Sequence, residues 1–230
     1  MLIHGLNKLT LLDYPGLTAC TVFTGGCNFR CPYCHNASLV LDPDSQPVID
    51  EREFFDYLKK REGILEGVCI TGGEPTLNPD LSDFIGKIKS LRYCVKLDTN
   101  GSNPEMLERL LSEHLLDYVA MDVKNSPEKY PKTVGVPHLS TEKIIRSAGL
   151  IMKLAPDYEF RTTVAAGILE KSDYEKIGSW LRGAKKYFLQ VFRDSGDLID
   201  PSQTGADISE LDEAREILSR YVQRAEIRGI

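Results

Sequence analysis

Along the chain, short apolar runs alternate with stretches in which apolar residues recur every three or four positions. The runs Ala19–Phe23, Val68–Ile70, Val95–Asp98, Tyr118–Met121, Glu159–Val164 and Tyr187–Phe192 are bounded by Gly, Pro, Asn or charged residues. Runs of that kind fit strands buried on both faces, as in a parallel sheet. The intervening segments carry helix starts. Asp50 with Glu53 reads as a capping box ahead of Phe54 and Leu58. Asn78-Pro79 opens a run with Leu81, Phe84, Ile85 and Ile88, and Asn103-Pro104 one with Met106, Leu107 and Leu110. Ser140, Ser172 and Ser209 precede three further runs.

A βα unit taken six times implies a parallel sheet with outer helices. At 230 residues the chain falls short of the ~250 typical of an eight-unit barrel. The expected fold class is α/β, a partial (β/α)6 TIM-like barrel of parallel strands open on one side. A doubly wound open sheet is the rival. Residues 1–230 read as one domain, with 1–16 as a hairpin-like extension made of Ile3–Gly5 and Leu9–Leu12. Asp42–Pro47 reads as a loop before the first long helix.

Charge narrows the partners. A net charge of -6 argues against nucleic acid, which calls for a basic footprint. No apolar run is long enough to span a bilayer, and Met1–Gly5 lacks the charged start of a signal peptide. Of six cysteines, Cys27, Cys31 and Cys34 cluster, while Cys20, Cys69 and Cys94 sit in apolar segments as small hydrophobes. That pattern favours a metal site over a disulfide framework and points to a reducing cytoplasm.

In parallel βα folds, chemistry gathers in loops at the C-terminal ends of strands. Four distinctive segments fall there: the cysteine loop after Phe23, Thr71–Pro75, Asp98–Gly101 and Asp122–Lys124. The cysteines have C-x3-C-x2-C spacing. Three thiolates can hold three irons of a [4Fe–4S] cube and leave the fourth open to a ligand. A zinc site with His35 as fourth ligand is the alternative, although structural zinc usually takes paired C-x2-C units. Gly72-Gly73-Glu74-Pro75 is either a plain turn or a backbone able to approach a ligand closely. For Asp98 and Asp122, two accounts stand: helix capping or pairing with Lys124, or a shared pocket above the cluster.

Together these residues resemble the radical S-adenosylmethionine (SAM) enzymes. Cys31–Asn36, Asp98–Gly101 and Asp122–Lys124 resemble the glycyl-radical-enzyme activases in particular. Leu9–Gly16 and Thr21–Asn36 look like the branch of anaerobic ribonucleoside-triphosphate reductase activating proteins. The resemblance implies a radical SAM core with a cluster on Cys27, Cys31 and Cys34 and SAM on its open iron. It implies that Tyr33 lies against the adenine and that Gly72, Gly73 and Glu74 meet the methionyl amino end. Asp98, Asp122 and Lys124 would hold methionyl and ribose groups, and the two acids would share a monovalent cation. Related activases carry a histidine on the last strand; Arg193, or neighbouring Gln190, stands in the matching place here.

The activity implied is reductive cleavage of SAM to generate a glycyl radical on anaerobic ribonucleotide reductase. Activation of a pyruvate formate-lyase type partner, or radical chemistry on a small molecule, is the alternative. A non-enzymatic electron-transfer module is the rival from another class. No side-chain acid or base is required, so no catalytic residue is nominated. No cysteine-rich cluster appears between His35 and Gly72, and no cysteine follows Cys94, so flavodoxin or ferredoxin is expected as electron donor.

Overall fold

The computed structural model describes residues 1–229. Eight strands form one sheet in chain order: β1 Gly5–Thr10, β2 Ala19–Thr24, β3 Gly67–Gly72, β4 Cys94–Thr99, β5 Tyr118–Asp122, β6 Asp157–Val164, β7 Tyr187–Val191 and β8 Ala225–Arg228. β1 pairs antiparallel with β2, and every later neighbour is parallel. The helices are α1 Ala37–Leu41, α2 Glu51–Lys60, α3 Leu81–Ser90, α4 Pro104–Ser112, α5 Tyr130–Thr133, α6 Thr141–Leu154, α7 Lys171–Trp180 and α8 Ile208–Leu218. Each crossover between parallel strands carries a helix, which gives the α/β architecture of a partial barrel.

The six expected strands form where the apolar runs lie. The N-terminal segment differs from expectation: it does not fold back on itself. Residues 5–10 make one strand, and its partner is β2, with Leu6 opposite Val22. The Thr10 hydroxyl accepts from Leu12 N and Asp13 N at 3.2 and 3.1 Å, which turns the chain away before Leu9–Leu12 can become a return strand. β8 is a seventh parallel strand beyond the six expected. Its Arg228 reaches the fully buried Glu159 carboxylate with two bonds of 2.6 and 2.7 Å.

The cap residues fit local rules in part: Asp50 caps α2 without a capping box to Glu53, and α3 starts after Asp80 rather than at Asn78-Pro79. Asp50 accepts from Arg52 N and Asn103 from Met106 N, as capping side chains should. Ser172 and Ser209 lie inside α7 and α8, which start one turn-residue earlier after Glu170 and Asp207. In α7 the Asp173 carboxylate accepts from Glu170 N at 3.0 Å and anchors the start that Ser172 was expected to cap.

Strand alternation sorts side chains between two environments. Val95 and Leu97 of β4 and Phe160 of β6 join the helix-facing core with Phe84, Leu107, Ile144 and Ile177. Lys96, Asp98, Glu159 and Arg161 alternate with them and face the barrel interior, where they bond one another or Arg228 and Tyr118. The interior is therefore polar beneath the strand ends. Tyr14 packs on Tyr118 with ring centroids 6.1 Å apart near the starts of β2 and β5.

Candidate active site

The cysteine loop leaves β2 and folds around one guanidinium. Arg30 Nη1 donates to the carbonyls of Cys27 and Phe29 at 2.6 and 2.8 Å, and Cys34 N donates to Cys31 O at 3.0 Å. The loop is docked to the helical side by Arg30 N, which donates to Val134 O at 2.8 Å. Cys27, Cys31 and Cys34 all line one cleft at the C-terminal ends of the strands. Burial pushes the Cys27 thiol up to about 11 and the Cys31 thiol up to about 12. Metal loading must therefore displace protons from these sulfurs.

The donor set fits an iron–sulfur cube. Three soft thiols from one loop border a cleft that has room and polar groups on its opposite wall. Among the described residues, no three His, Cys, Asp or Glu side chains converge on a point for a single ion. A cube asks for something else, since each thiolate binds its own iron.

The two glycines after β3 are required by close backbone packing. Gly73 N donates to Thr24 O and Glu74 N to Gly26 O, both at 2.8 Å. A Cβ on Gly73 would lie 1.9 Å from Gly26 O, and one on Gly72, where φ is +121°, 2.3 Å from Thr24 N. The approach that the glycines permit is thus to the cysteine loop itself. Glu74 follows the two glycines directly. It borders the cleft, but its carboxylate is fully buried and engaged. Oε1 accepts from Thr76 N, Thr76 Oγ1 and Thr99 Oγ1 at 3.1, 2.5 and 2.8 Å, and Oε2 accepts from Asn100 N at 2.6 Å. Burial raises its pKa, and these bonds work against that rise.

Asp98, Asp122 and Lys124 line the same cleft, joined by Arg161 from β6. Lys124 Nζ lies 3.2 Å from Asp122 Oδ2, and Arg161 bonds Asp122 and Asp98 at 3.0 and 3.1 Å. Lys96 bonds the far side of Asp98. The result is a row of alternating charge with three cations and two acids. Burial pushes the Asp122 pKa up, but Arg161 and Lys124 outweigh it and bring it down to about 2. Asp98 is held below the usual carboxylate range in the same way, by Arg161 and Lys96 against burial. Asp122 thus pairs with Lys124, Asp98 pairs with Lys96 and Arg161 instead, and both acids border the cleft.

Tyr33, within the loop, is buried and borders the cleft with its hydroxyl unpartnered, and the Lys124 ammonium lies 6.0 Å from its ring centre. Arg193 is corrected by the fold. It lies past the end of β7, is exposed, and donates to Gly229 O at 2.6 Å, away from the cleft. Gln190, inside β7 and inward by strand parity, lines the cleft instead. On β6 the same parity sends Arg161 and Thr163 to the cleft, while Thr162 bonds Val123 O at 2.6 Å. Asn100 and Thr99 were part of a noted motif without an assigned role; both border the cleft, and Asn100 Nδ2 lies 3.7 Å from Cys27 Sγ.

Comparison with known proteins agrees with this arrangement. The profile of the radical SAM superfamily matches residues 21–177. A Methanocaldococcus jannaschii protein named as a glycyl-radical enzyme activating enzyme is 32% identical over 236 residues, covering 100% of this chain and 96% of its own. The pyruvate formate-lyase-activating enzyme of Staphylococcus epidermidis is 28% identical over 194 residues, covering 78% of this chain and 74% of its own. Among solved structures, Streptococcus suis SuiB bound to S-adenosylmethionine superposes with a TM-score of 0.69 at 13% identity, over 90% of this chain and 49% of that one. That likeness concerns the fold. The chain belongs to the radical SAM superfamily and, within it, to the glycyl-radical-enzyme activating enzymes, which work with a [4Fe–4S] cluster and SAM.

Proposed function

We propose that this enzyme generates the glycyl radical of an anaerobic ribonucleoside-triphosphate reductase. The observation that carries the activase reading is the juxtaposition, on one rim, of the three-cysteine loop with Lys124 and the Asp98–Arg161–Asp122 row. The reductase as target is supported by Leu9–Gly16 and Thr21–Asn36, whose likeness to that branch lies in the sequence.

When bound, the reduced cluster and SAM supply one-electron cleavage of the sulfonium. The chain's own residues position and shield. Cys27, Cys31 and Cys34 hold the metal, and Asn100 stands beside Cys27 Sγ as a side-chain donor. Lys124 keeps ammonium donors beyond its bond to Asp122, and the row's excess of one positive charge suits a carboxylate. The buried Tyr33 ring gives an apolar wall suited to a nucleobase. Gln190 and Thr163 offer polar groups on the last strands of the cleft. An external flavodoxin or ferredoxin delivers the electron.

The test mixes reduced, cluster-loaded protein with SAM and the reductase under anoxia. A glycyl-radical signal in electron paramagnetic resonance is expected. Its absence, with 5′-deoxyadenosine still released, would reject the reductase as target. A formate-lyase-type partner is the second reading, favoured by the Staphylococcus epidermidis relative. Exchanging the partner protein in the same assay separates the two.

A further inference from the structure

Two acids at neighbouring strand ends, such as Asp98 and Asp122, invite a shared monovalent cation. The structure accounts for every oxygen of that pair differently. Asp98 Oδ1 is taken by Lys96 Nζ, and Asp98 Oδ2 by Arg161 Nη1 at 3.1 Å. Asp122 Oδ1 is taken by Arg161 Nε at 3.0 Å, and Asp122 Oδ2 by Lys124 Nζ at 3.2 Å. Four carboxylate oxygens thus have four cationic contacts, and the guanidinium lies between the acids. A sodium or potassium ion seated here would be a fourth positive charge against two negative ones. Arg161, standing between the two acids, would repel it at close range. The expected cation does not fit this site.

We propose that Arg161 is a tethered replacement for that cation: it neutralises and fixes Asp98 and Asp122, so SAM binding requires neither sodium nor potassium. The chemistry favours arginine for the task. A planar guanidinium presents several donors in fixed directions, so Nε and Nη1 can serve different carboxylates at once. Lysine, a point charge on a flexible stem, could not hold both acids in one geometry. Being part of β6, the charge is present at any salt composition. Arg161 is a positioning residue here, acting through the two acids. The inference rests on SAM binding at this cleft and is independent of which partner is activated.

The experiment measures SAM affinity of the anaerobically reconstituted full chain in potassium, sodium or choline chloride at equal ionic strength. For the unaltered protein, the three dissociation constants should agree within about twofold, a difference below ~0.5 kcal/mol. Arg161→Gln should weaken SAM binding, and potassium or sodium should then restore about fivefold or more relative to choline, a coupling near 1 kcal/mol. Tighter SAM binding by the unaltered protein in potassium or sodium by that same margin would overturn the proposal. So would a folded Arg161→Gln protein whose affinity ignores the cation.

A second readout needs no SAM and no variant. Sodium-23 relaxation of the unaltered chain should show no site-specific broadening that potassium competes away. Such broadening, if abolished by Asp122→Asn, would overturn the proposal even where SAM binding cannot be measured. Loss of SAM binding in every salt with silent sodium relaxation would instead count against the cofactor reading and leave Arg161 as the occupant of the acid pair.

Discussion

Glu74 Oε2 accepts the backbone N–H of Asn100 at 2.6 Å, and this one bond ties the loop after β3 to the loop after β4. The other carboxylate oxygen collects three donors from Thr76 and Thr99. A motif that reads as a ligand contact thus works as a brace between two rim loops. Glu74→Ala would leave four donors, all in buried residues, without their acceptor, at a cost of about 3 kcal/mol or more. Glu74→Gln restores bulk but turns an amide NH2 toward one donor, so it should lose less. Urea midpoints are expected to rank unaltered protein above Gln above Ala. An unchanged midpoint for Ala would contradict the brace.

Gly73 is held where a side chain cannot be. Its added Cβ would sit 1.9 Å from Gly26 O, which is backbone and cannot swing aside. Gly73→Ala should push the β3 loop off the cysteine loop and lower iron per chain after reconstitution. Gly86→Ala is the matched control. That position lies in α3 with nothing within 4 Å of the added carbon, so it should stabilise by about 0.5–1 kcal/mol. Iron assay and thermal melting of both variants check the pair.

Serine at Cys27, Cys31 or Cys34 should each abolish a full cluster and its SAM-dependent release of 5′-deoxyadenosine, because hydroxyl is a harder and less acidic ligand than thiol. Cys94→Ser should keep both, since Cys94 begins β4 at the opposite end of the barrel from the cleft. Iron content and the low-temperature paramagnetic spectrum report the outcome.

Asp122 sets a pH window with a definite sign. Its folded pKa of about 2 lies below the ordinary ~3.9, so folding favours the charged form. Its contribution is full above roughly pH 5 and is lost as pH falls through about 2. The stability gap between the unaltered protein and Asp122→Asn should therefore shrink by about 2 kcal/mol across that interval. Urea unfolding of both proteins at stepped pH measures it. A gap that widens on acidification would reverse the assignment.

Much of the architecture was legible because it depends on local pattern. The apolar runs at Val68–Ile70 and Tyr118–Met121 can form strands in few other ways, and Asn103-Pro104 starts a helix by side-chain chemistry within four residues. β8 was not legible. Ala225–Arg228 is short and half-polar, and it is a strand because it pairs along β7 and Arg228 meets Glu159, 69 residues away. Arg193 was misplaced for a related reason: sequence places it near the site, but β7 ends at Val191 and parity gives the cleft to Gln190.

By itself the sequence determined the βα order, the cysteine loop and the set of polar residues at the strand ends, since periodicity and motif spacing are properties of neighbours along the chain. The tertiary structure alone decided how those residues divide the work. It turned Glu74 into a brace, drew Arg161 between two acids and carried Arg193 to the surface. Those outcomes depend on which strands lie side by side and which face each presents, and no local pattern encodes a distance across the sheet.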